Sequence, residues 1–195
     1  MISGNPPVKW GFFILPLLFL LAGVAAAAQF SATMLIKDGE KLMPGKIFVQ
    51  EGKLRQEFND VEGQTITIVR PDLKVVWIIL PQERAYAELP LRGKLPGQFI
   101  QIPPDALSKR LVGQETVNGY EAEKYAVTVR TAGGPERQTV WLAAKLGAPV
   151  KMVSKERNFS IEYKGIKEAV QADRLFNLPP GFKKLDPSGF GDRVR

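Results

Sequence analysis

Apolar and polar residues alternate along most of this chain in short runs that are separated by tight turns. In the run FSATMLIK, residues 30–37, the side chains of Phe30, Ala32, Met34 and Ile36 fall on one face. The Asp-Gly, Glu-Gly and Arg-Pro-Asp sequences between the runs are typical of hairpin turns. The first half of the chain, as far as AYAEL, therefore predicts a β-meander.

One run breaks this alternation, because VVWIIL is apolar on both faces. An antiparallel strand with one solvated face alternates, so we expect this strand at the centre of a sheet. One of its faces is expected to meet a covering helix and loop, and the other the interior of a curved sheet. Alternation sends Val75, Trp77 and Ile79 to the same face. Trp77, whose N–H needs a partner when buried, is predicted to line an apolar hollow.

The second half of the chain begins with a segment rich in Gly and Pro, LRGKLPGQFIQIPP. The following stretch, PDALSKRLVG, predicts a short helix with Asp105 as its N-cap and Gly113 as its C-terminal stop. Strands resume at EKYAVTVR and continue through RQTVWLA, PVKMVSKE and FSIEYKGI. Pro179-Pro180-Gly181 is expected to end the ordered region. The pattern predicts a mainly β (α+β) fold, a single strongly curved antiparallel sheet with one or two short covering helices.

The N-terminal segment has the pattern of a secretory signal peptide. Lys9 supplies a positive charge, the apolar run WGFFILPLLFLLAGV follows, and AAAAQ supplies the small residues of a cleavage site. An uncleaved membrane anchor is the alternative, and Pro16 and the alanines favour cleavage. We expect a signal peptide at residues 1–28, a curved-sheet domain at 29–185 and a flexible tail at 186–195.

Removal of residues 1–28 on export is a direct prediction of this pattern. N-terminal sequencing of the protein from the envelope fraction is expected to begin at Ala28, Gln29 or very near, because the small alanines fit signal peptidase. Detection of an intact Met1 in the mature, membrane-bound protein would contradict cleavage and support the anchor.

The composition narrows the chemistry open to this chain. Its 195 residues include no cysteine and no histidine, so disulfides, thiolate nucleophiles, Cys/His zinc sites and imidazole proton shuttles are excluded. The formal net charge is +7. Such an excess favours anionic surfaces such as a phospholipid membrane, although it also serves solubility alone. No stretch has the dense Lys/Arg clustering of a nucleic-acid patch, and no nucleic-acid partner is expected.

No catalytic motif is found in the sequence. Ser108-Lys109 and Ser154-Lys155 are adjacent pairs and lack the spacing of an S-x-x-K dyad. Glu121 and Glu123 lie on one face of a predicted strand, which is more often a solvated face than a glycosidase pair. We therefore expect a protein that is not an enzyme, with no cofactor and no metal.

A group of apolar side chains from successive predicted strands forms a candidate binding surface. An ordinary core explains the same residues. A curved sheet with few helices, however, leaves a hollow that these side chains do not have to fill. The candidate ligand-binding residues of this apolar cavity are Met34, Ile36, Phe58, Ile66, Ile68, Trp77 and Ile79.

Several segments, taken in their order along the chain, resemble a family of secreted bacterial proteins similar to the LolA-like and LolB-like lipoprotein carriers. These segments are MPGKIFVQEGKLRQEF, TITIVRPDLKVVWIILPQERAYAELPL, GQETVNGYEAEKY and VWLAAKLGAPVKM, with LFNLPPGFKKL near the end. The resemblance covers nearly all of the chain after the signal peptide. It implies an unclosed β-barrel with helices over the open side, an apolar cavity for acyl chains and a place in the bacterial envelope.

Two functions follow as expectations. The first is a periplasmic, non-enzymatic protein that holds a lipid, an acyl chain or a lipoprotein in an apolar cavity, as a carrier or a sensor. The second is an envelope protein-interaction or stress-sensing module that uses the same curved sheet. The expected partners are lipid or lipoprotein acyl chains, with an anionic membrane surface or an envelope protein as further partners.

Overall fold

A computed structural model describes residues 28–61, 63–91, 101–131 and 133–186. The predicted signal peptide, most of the Gly/Pro-rich segment and the predicted tail beyond Asp186 lie outside the described residues. The described strands are β1 Gln29–Asp38, β2 Lys41–Gln50, β3 Lys53–Asp60, β4 Gly63–Arg70, β5 Val75–Leu80, β6 Ala85–Pro90, β7 Ser108–Val117, β8 Tyr120–Thr131, β9 Gly134–Ala143, β10 Ala148–Ser154, β11 Phe159–Glu168 and β12 Lys183–Leu185. Two 3₁₀ helices, Pro81–Glu83 and Asp173–Phe176, are also present.

All twelve strands belong to one sheet, in the order β12-β6-β5-β4-β3-β2-β1-β11-β10-β9-β8-β7. The predicted mainly β fold and the unclosed barrel are both confirmed. Strands β1 to β6 are consecutive neighbours, as the meander prediction required. The sheet is mixed rather than purely antiparallel, because β12 pairs parallel to β6. Strands β12 and β7 are the two edges.

The hairpins follow from the local sequence. Gly39, between β1 and β2, has φ of +61°, a conformation that glycine adopts without a Cβ clash. Between β7 and β8, Asn118 and Gly119 have φ of 51° and 84°. Two successive residues with positive φ are the signature of the type I′ hairpin turn that Asn-Gly favours. This turn therefore fixes β7 against β8.

The predicted helix at PDALSKRLVG is wrong, because residues from Ser108 onward form strand β7. Leu107 and Leu111, whose spacing imitates a helical face, are both exposed. Pairing with β8 overrides the weak local helix preference. Gly113 lies at a bulge of β7 and does not end a helix. The ordered region also continues past Pro179-Pro180-Gly181, since β12 follows it.

The sheet has two apolar faces of different extent. We call the first the inner face; its buried side chains come from both halves of the chain and form one large cluster that includes Phe30, Met34, Val76, Val127 and Tyr163. The other side is the outer face, where a smaller cluster is built from β4, β5 and the segment after β11. Since the large cluster draws on strands that lie far apart in the sheet, the sheet's curvature brings its members together.

Strand β5 is covered on both sides. Val76 belongs to the large inner cluster, whereas Trp77 and Ile79 belong to the smaller outer one. The double apolar character of VVWIIL therefore reflects two protein layers. The interior of the curve lies on one side, and the 3₁₀ helix Asp173–Phe176 with its loop lies on the other. Cover on both faces was predicted, but the predicted helix at PDALSKRLVG does not supply it.

Candidate functional site

The inner face is a mainly apolar surface that runs across most of the sheet, with the buried Gln56 as a polar exception whose Nε2 donates to Met34 Sδ at 3.6 Å. On β1, the side chains of Phe30, Ala32, Met34 and Ile36 are all buried on it. Across the sheet, Tyr163 of β11 lies opposite Met34 and is fully buried, with its ring centroid 6.0 Å from that of Phe30. Burial raises the pKa of the Tyr163 hydroxyl above its usual value, because the charged phenolate would lose its hydration. Tyr163 is therefore enclosed by protein on this face.

A small polar group interrupts the inner face at one end of β9 and β10. The carboxylate of Glu136 is buried, accepts a hydrogen bond of 2.9 Å from Gln138 Nε2 and lies 3.7 Å from Arg157 Nη1. Ser154 follows Val153, which pairs with Thr139, so its side chain lies beside that of Gln138. The Ser154 hydroxyl is fully buried and has no hydrogen-bond partner among the described residues. An unpaired buried hydroxyl costs free energy unless a further group satisfies it.

The seven predicted cavity residues do not share one surface, so that expectation is corrected. Met34, Ile36 and Phe58 lie on the inner face. Glu57 pairs with Ile66 and Arg55 with Ile68, so both isoleucines lie on the outer face. The other four predicted residues form one cluster on the outer face: Ile66, Ile68, Trp77 and Ile79. The physical reason is register: β4 and β5 are apolar on both faces, and alternation alone does not say which face meets β1.

The outer cluster is covered by residues 173–182, which we call the C-terminal strap. Phe176 is buried within the cluster, and Leu175, Leu178 and Phe182 pack against it. Arg55 Nη1 donates to the carbonyl oxygen of Leu175 at 3.0 Å. Arg70 of β4 makes a similar contact, so two strands of the sheet donate hydrogen bonds to the strap. Trp77 is covered by protein on the outer face, and the prediction that it lines the same hollow as Met34 and Ile36 is wrong.

Arg70 is the second arginine that holds the strap. Its Nη1 donates to the carbonyl oxygen of Phe176 at 3.0 Å and to Asn177 Oδ1 at 2.9 Å. Its Nε and Nη2 donate to the carboxylate of Asp72 at 2.9 and 2.6 Å. These hydrogen bonds lower the pKa of Asp72 to about 2. The guanidinium is therefore oriented by a carboxylate and joins the β4–β5 turn to the strap.

The indole N–H of Trp77 has a charged partner. It donates to Glu88 Oε2 at 3.0 Å, and Lys184 Nζ donates to Glu88 Oε1 at 2.7 Å. The hydrogen bond from Lys184, followed by the one from Trp77, lowers the pKa of the Glu88 carboxyl. The expectation that the Trp77 N–H needs a polar partner is met within the protein itself, and β12 is linked to β6 by the same group.

A groove on the outer face of β7 to β10 was not anticipated from the sequence. It encloses about 500 Å³, and its outer-face lining residues are Ser108, Arg110, Ala126, Thr128, Arg137, Thr139, Val153, Lys155 and Glu156. Val127 and Gln138, whose side chains lie on the inner face, border it from the positions between them. None of the seven predicted cavity residues lines it. Its basic residues come from three different strands or their ends, so no cluster of Lys and Arg marks them in the sequence. The pairing of β7 with β8 is the information that would have revealed it.

The described ranges of the chain contain neither a candidate metal site nor a helix that could span a membrane. Within them, no group of three or more acidic side chains is placed to hold a metal ion. The helices of this part of the chain are too short to cross a bilayer.

The fold is shared with a protein of known structure. The sequence matches no family model and no curated protein significantly. The structure is similar to that of an uncharacterized conserved protein from Thermus thermophilus, with a TM-score of 0.57 and 15% sequence identity. The match covers 82% of this chain and 90% of that one. At this identity the likeness establishes the fold alone.

Weaker similarities link the chain to two bacterial proteins. The Pseudomonas aeruginosa MucA/MucB complex matches with a TM-score of 0.46, 20% identity and coverage of 75% of this chain and 54% of that one. The chain thus spans about half the length of that protein. The Mycobacterium tuberculosis lipoprotein LppX matches with a TM-score of 0.40, 12% identity and coverage of 72% and 88%.

Proposed function

We propose that this protein is a non-enzymatic binding protein of the bacterial envelope, which holds a lipid, an acyl chain or the acyl chains of a lipoprotein against its inner face. The observation that carries the proposal is the mainly apolar inner face of a sheet that does not close. The side chains of this face are packed against one another. Because no strand pairing among the described residues joins the two edges, a chain-like ligand can enter between these side chains without breaking a strand pair. The role is that of a carrier or a sensor in the periplasm, after export by the predicted signal peptide.

The polar group at the end of β9 and β10 supports an amphiphilic ligand. An acyl chain would lie along the apolar residues, with its carbonyl or head group near Gln138 and the unpaired hydroxyl of Ser154. A few polar groups in a mainly apolar site fix the orientation of a ligand. The Ser154 hydroxyl would gain the hydrogen-bond partner that it lacks among the described residues.

The test is native mass spectrometry of the protein purified gently from the envelope fraction. We expect an additional mass equal to one lipid, and re-binding of a fatty-acid probe after delipidation. Ser154→Ala is expected to lower the affinity for the probe about fivefold, the equivalent of one hydrogen bond. Ser160→Ala, a serine on the outer face of β11, is the matched control and should leave the affinity unchanged. Absence of both co-purified lipid and probe binding would overturn the proposal.

A protein-interaction module is the second candidate, and the free edge of β7 favours it. Nine of the ten residues of β7 are exposed, and β8 is its one neighbour in the described sheet. A long free edge can accept an added strand from a partner. The same spectra distinguish the candidates, because a stoichiometric protein partner with no bound lipid would support this one.

A further inference from the structure

The groove on the outer face of β7 to β10 is built from two rows of side chains that cross the strands. In the first row, Arg110 lies opposite Ala126, which lies opposite Thr139, which lies opposite Val153. Small side chains occupy the middle of this row and a long basic one stands at its β7 end. The groove is therefore a consequence of side-chain size on a continuous sheet.

The second row repeats this arrangement one step along the strands. Ser108 lies opposite Thr128, which lies opposite Arg137, and Lys155 follows at the end of β10. Hydroxyl groups thus lie on the floor beside Arg137. Adjacent strands are about 4.8 Å apart, so the basic groups of β7 and β9 are separated by roughly 10 Å at their backbones. Their long side chains can converge on one anionic group between them.

The charge of the groove is predominantly positive. Three of its lining residues are basic, and Glu156 is the one acidic residue among them. Glu156 Oε1 accepts a hydrogen bond of 2.6 Å from Arg137 Nε. Both partners of this ion pair are largely exposed to solvent, where such a pair contributes little and can rearrange. The groove therefore presents a net charge of +2 over a floor of hydroxyl and methyl groups.

The edge strand beside the groove also exposes apolar side chains. Leu107, Leu111 and Val112 are 46%, 51% and 41% exposed. Arg110 pairs with Ala126 and Leu111 with Tyr125, so the arginine and the leucine project to opposite faces of this edge. Viewed along the edge itself, the two faces together present a surface that is both basic and apolar. Surfaces of this kind bind at the interface of anionic membranes, through electrostatic attraction and burial of apolar side chains among the lipids.

We propose that the groove lined by Arg110, Arg137 and Lys155 receives the head-group phosphate of an anionic phospholipid, and that it docks the β7 edge of the protein on a membrane. The proposal goes beyond the proposed function, since it requires no ligand on the inner face. A phospholipid is favoured over free phosphate because the exposed leucines would then also be buried. The groove spans four strands, which suits one or two phosphates and not a polymer.

The test measures co-sedimentation with vesicles of phosphatidylcholine alone or with added phosphatidylglycerol, using the protein without its first 28 residues. The variant Arg110→Gln/Arg137→Gln/Lys155→Gln removes the three groove cations. Each basic side chain near an anionic surface is worth about fivefold in binding, so we expect a loss of about 100-fold toward the phosphatidylglycerol vesicles. The matched control is Lys37→Gln/Lys41→Gln/Lys46→Gln, which removes the same charge from exposed positions of β1 and β2 and should lose less than about tenfold.

A single variant guards against a folding artefact. Thr128→Glu places a carboxylate on the groove floor, and we expect it to abolish binding to phosphatidylglycerol vesicles while its circular dichroism spectrum stays native. Competition by inorganic phosphate at millimolar concentration should be weak, since free phosphate gains nothing from the leucines.

Three outcomes would overturn the proposal. Equal losses in the two triple variants would show that the net charge and not the groove attracts the membrane. Strong competition by inorganic phosphate would assign the groove to a free anion. If the groove variant still binds vesicles but no longer binds poly-glutamate, the groove is a site for an acidic protein segment.

Discussion

Replacing Phe176 by alanine is expected to lower the free energy of unfolding by about 3–5 kcal/mol, the usual cost of truncating a buried phenylalanine. Phe176 is 1% exposed and packs with Ile66, Ile68, Trp77 and Ile79. The strap has few other apolar anchors of this size. Its hydrogen bonds from Arg55 and Arg70 go to backbone carbonyls and can be replaced by water once the ring is gone. Chemical denaturation of Phe176→Ala against the parent protein gives the difference directly.

The variant has a second readout, because the strap covers a tryptophan. In a Trp141→Phe background without the first 28 residues, Trp77 is the one remaining indole. Loosening of the strap should shift its emission to the red and speed hydrogen exchange in residues 173–182. Val170→Ala, at a side chain that is 74% exposed, is the control and should change stability by less than about 0.5 kcal/mol. A loss below about 1 kcal/mol with unchanged emission would contradict the anchoring role of Phe176.

The sequence predicted the fold class and the first half of the sheet well, for a physical reason. In β1 to β6 each strand is bounded by turn residues and pairs with the next, so local signals alone determine the order. The two-sided character of β5 was also readable, since six consecutive apolar residues have no solvated face. The strap that covers its outer face was not readable, because Phe176 reaches β5 across about 100 residues of chain and no local pattern encodes that contact.

The errors arose where local signals competed with long-range pairing. Leu107 and Leu111 have helical spacing, but they lie on an edge strand and remain exposed. The Asn118-Gly119 hairpin signal would have identified β7 as the partner of β8. The candidate cavity was divided for a related reason. Phe58 and Ile66 are separated by one hairpin, and the register of that hairpin places them on opposite faces.

Tyr163 provides the second large effect, a loss of stability at alkaline pH. Burial raises the pKa of its hydroxyl in the folded protein, whereas the unfolded chain ionises near pH 10. A raised folded-state pKa means that the stabilisation is fully present below the unfolded pKa and is lost as pH rises above it. Each pH unit above about 10 is therefore expected to remove about 1.4 kcal/mol, as long as the folded state keeps the phenol neutral.

The measurement compares the stability of the parent protein and Tyr163→Phe from neutral pH to about pH 12, which is about two units above the unfolded pKa. Phenylalanine nearly conserves the volume of the side chain and cannot ionise, so the variant should lack about 3 kcal/mol of this alkaline loss. Tyr125 is the matched control. The hydrogen bond from its hydroxyl to Glu123 also raises the pKa of Tyr125, but the side chain is only half-buried, so Tyr125→Phe should retain most of the loss. Two results would show that water reaches Tyr163. One is identical pH profiles of stability for the parent protein and Tyr163→Phe. The other is a tyrosine that titrates near pH 10 in the ultraviolet spectrum and is missing only from Tyr163→Phe. The inner face would then be an open cavity. A bound acyl chain should displace water from this cavity, so the pKa of Tyr163 should rise when the fatty-acid probe binds.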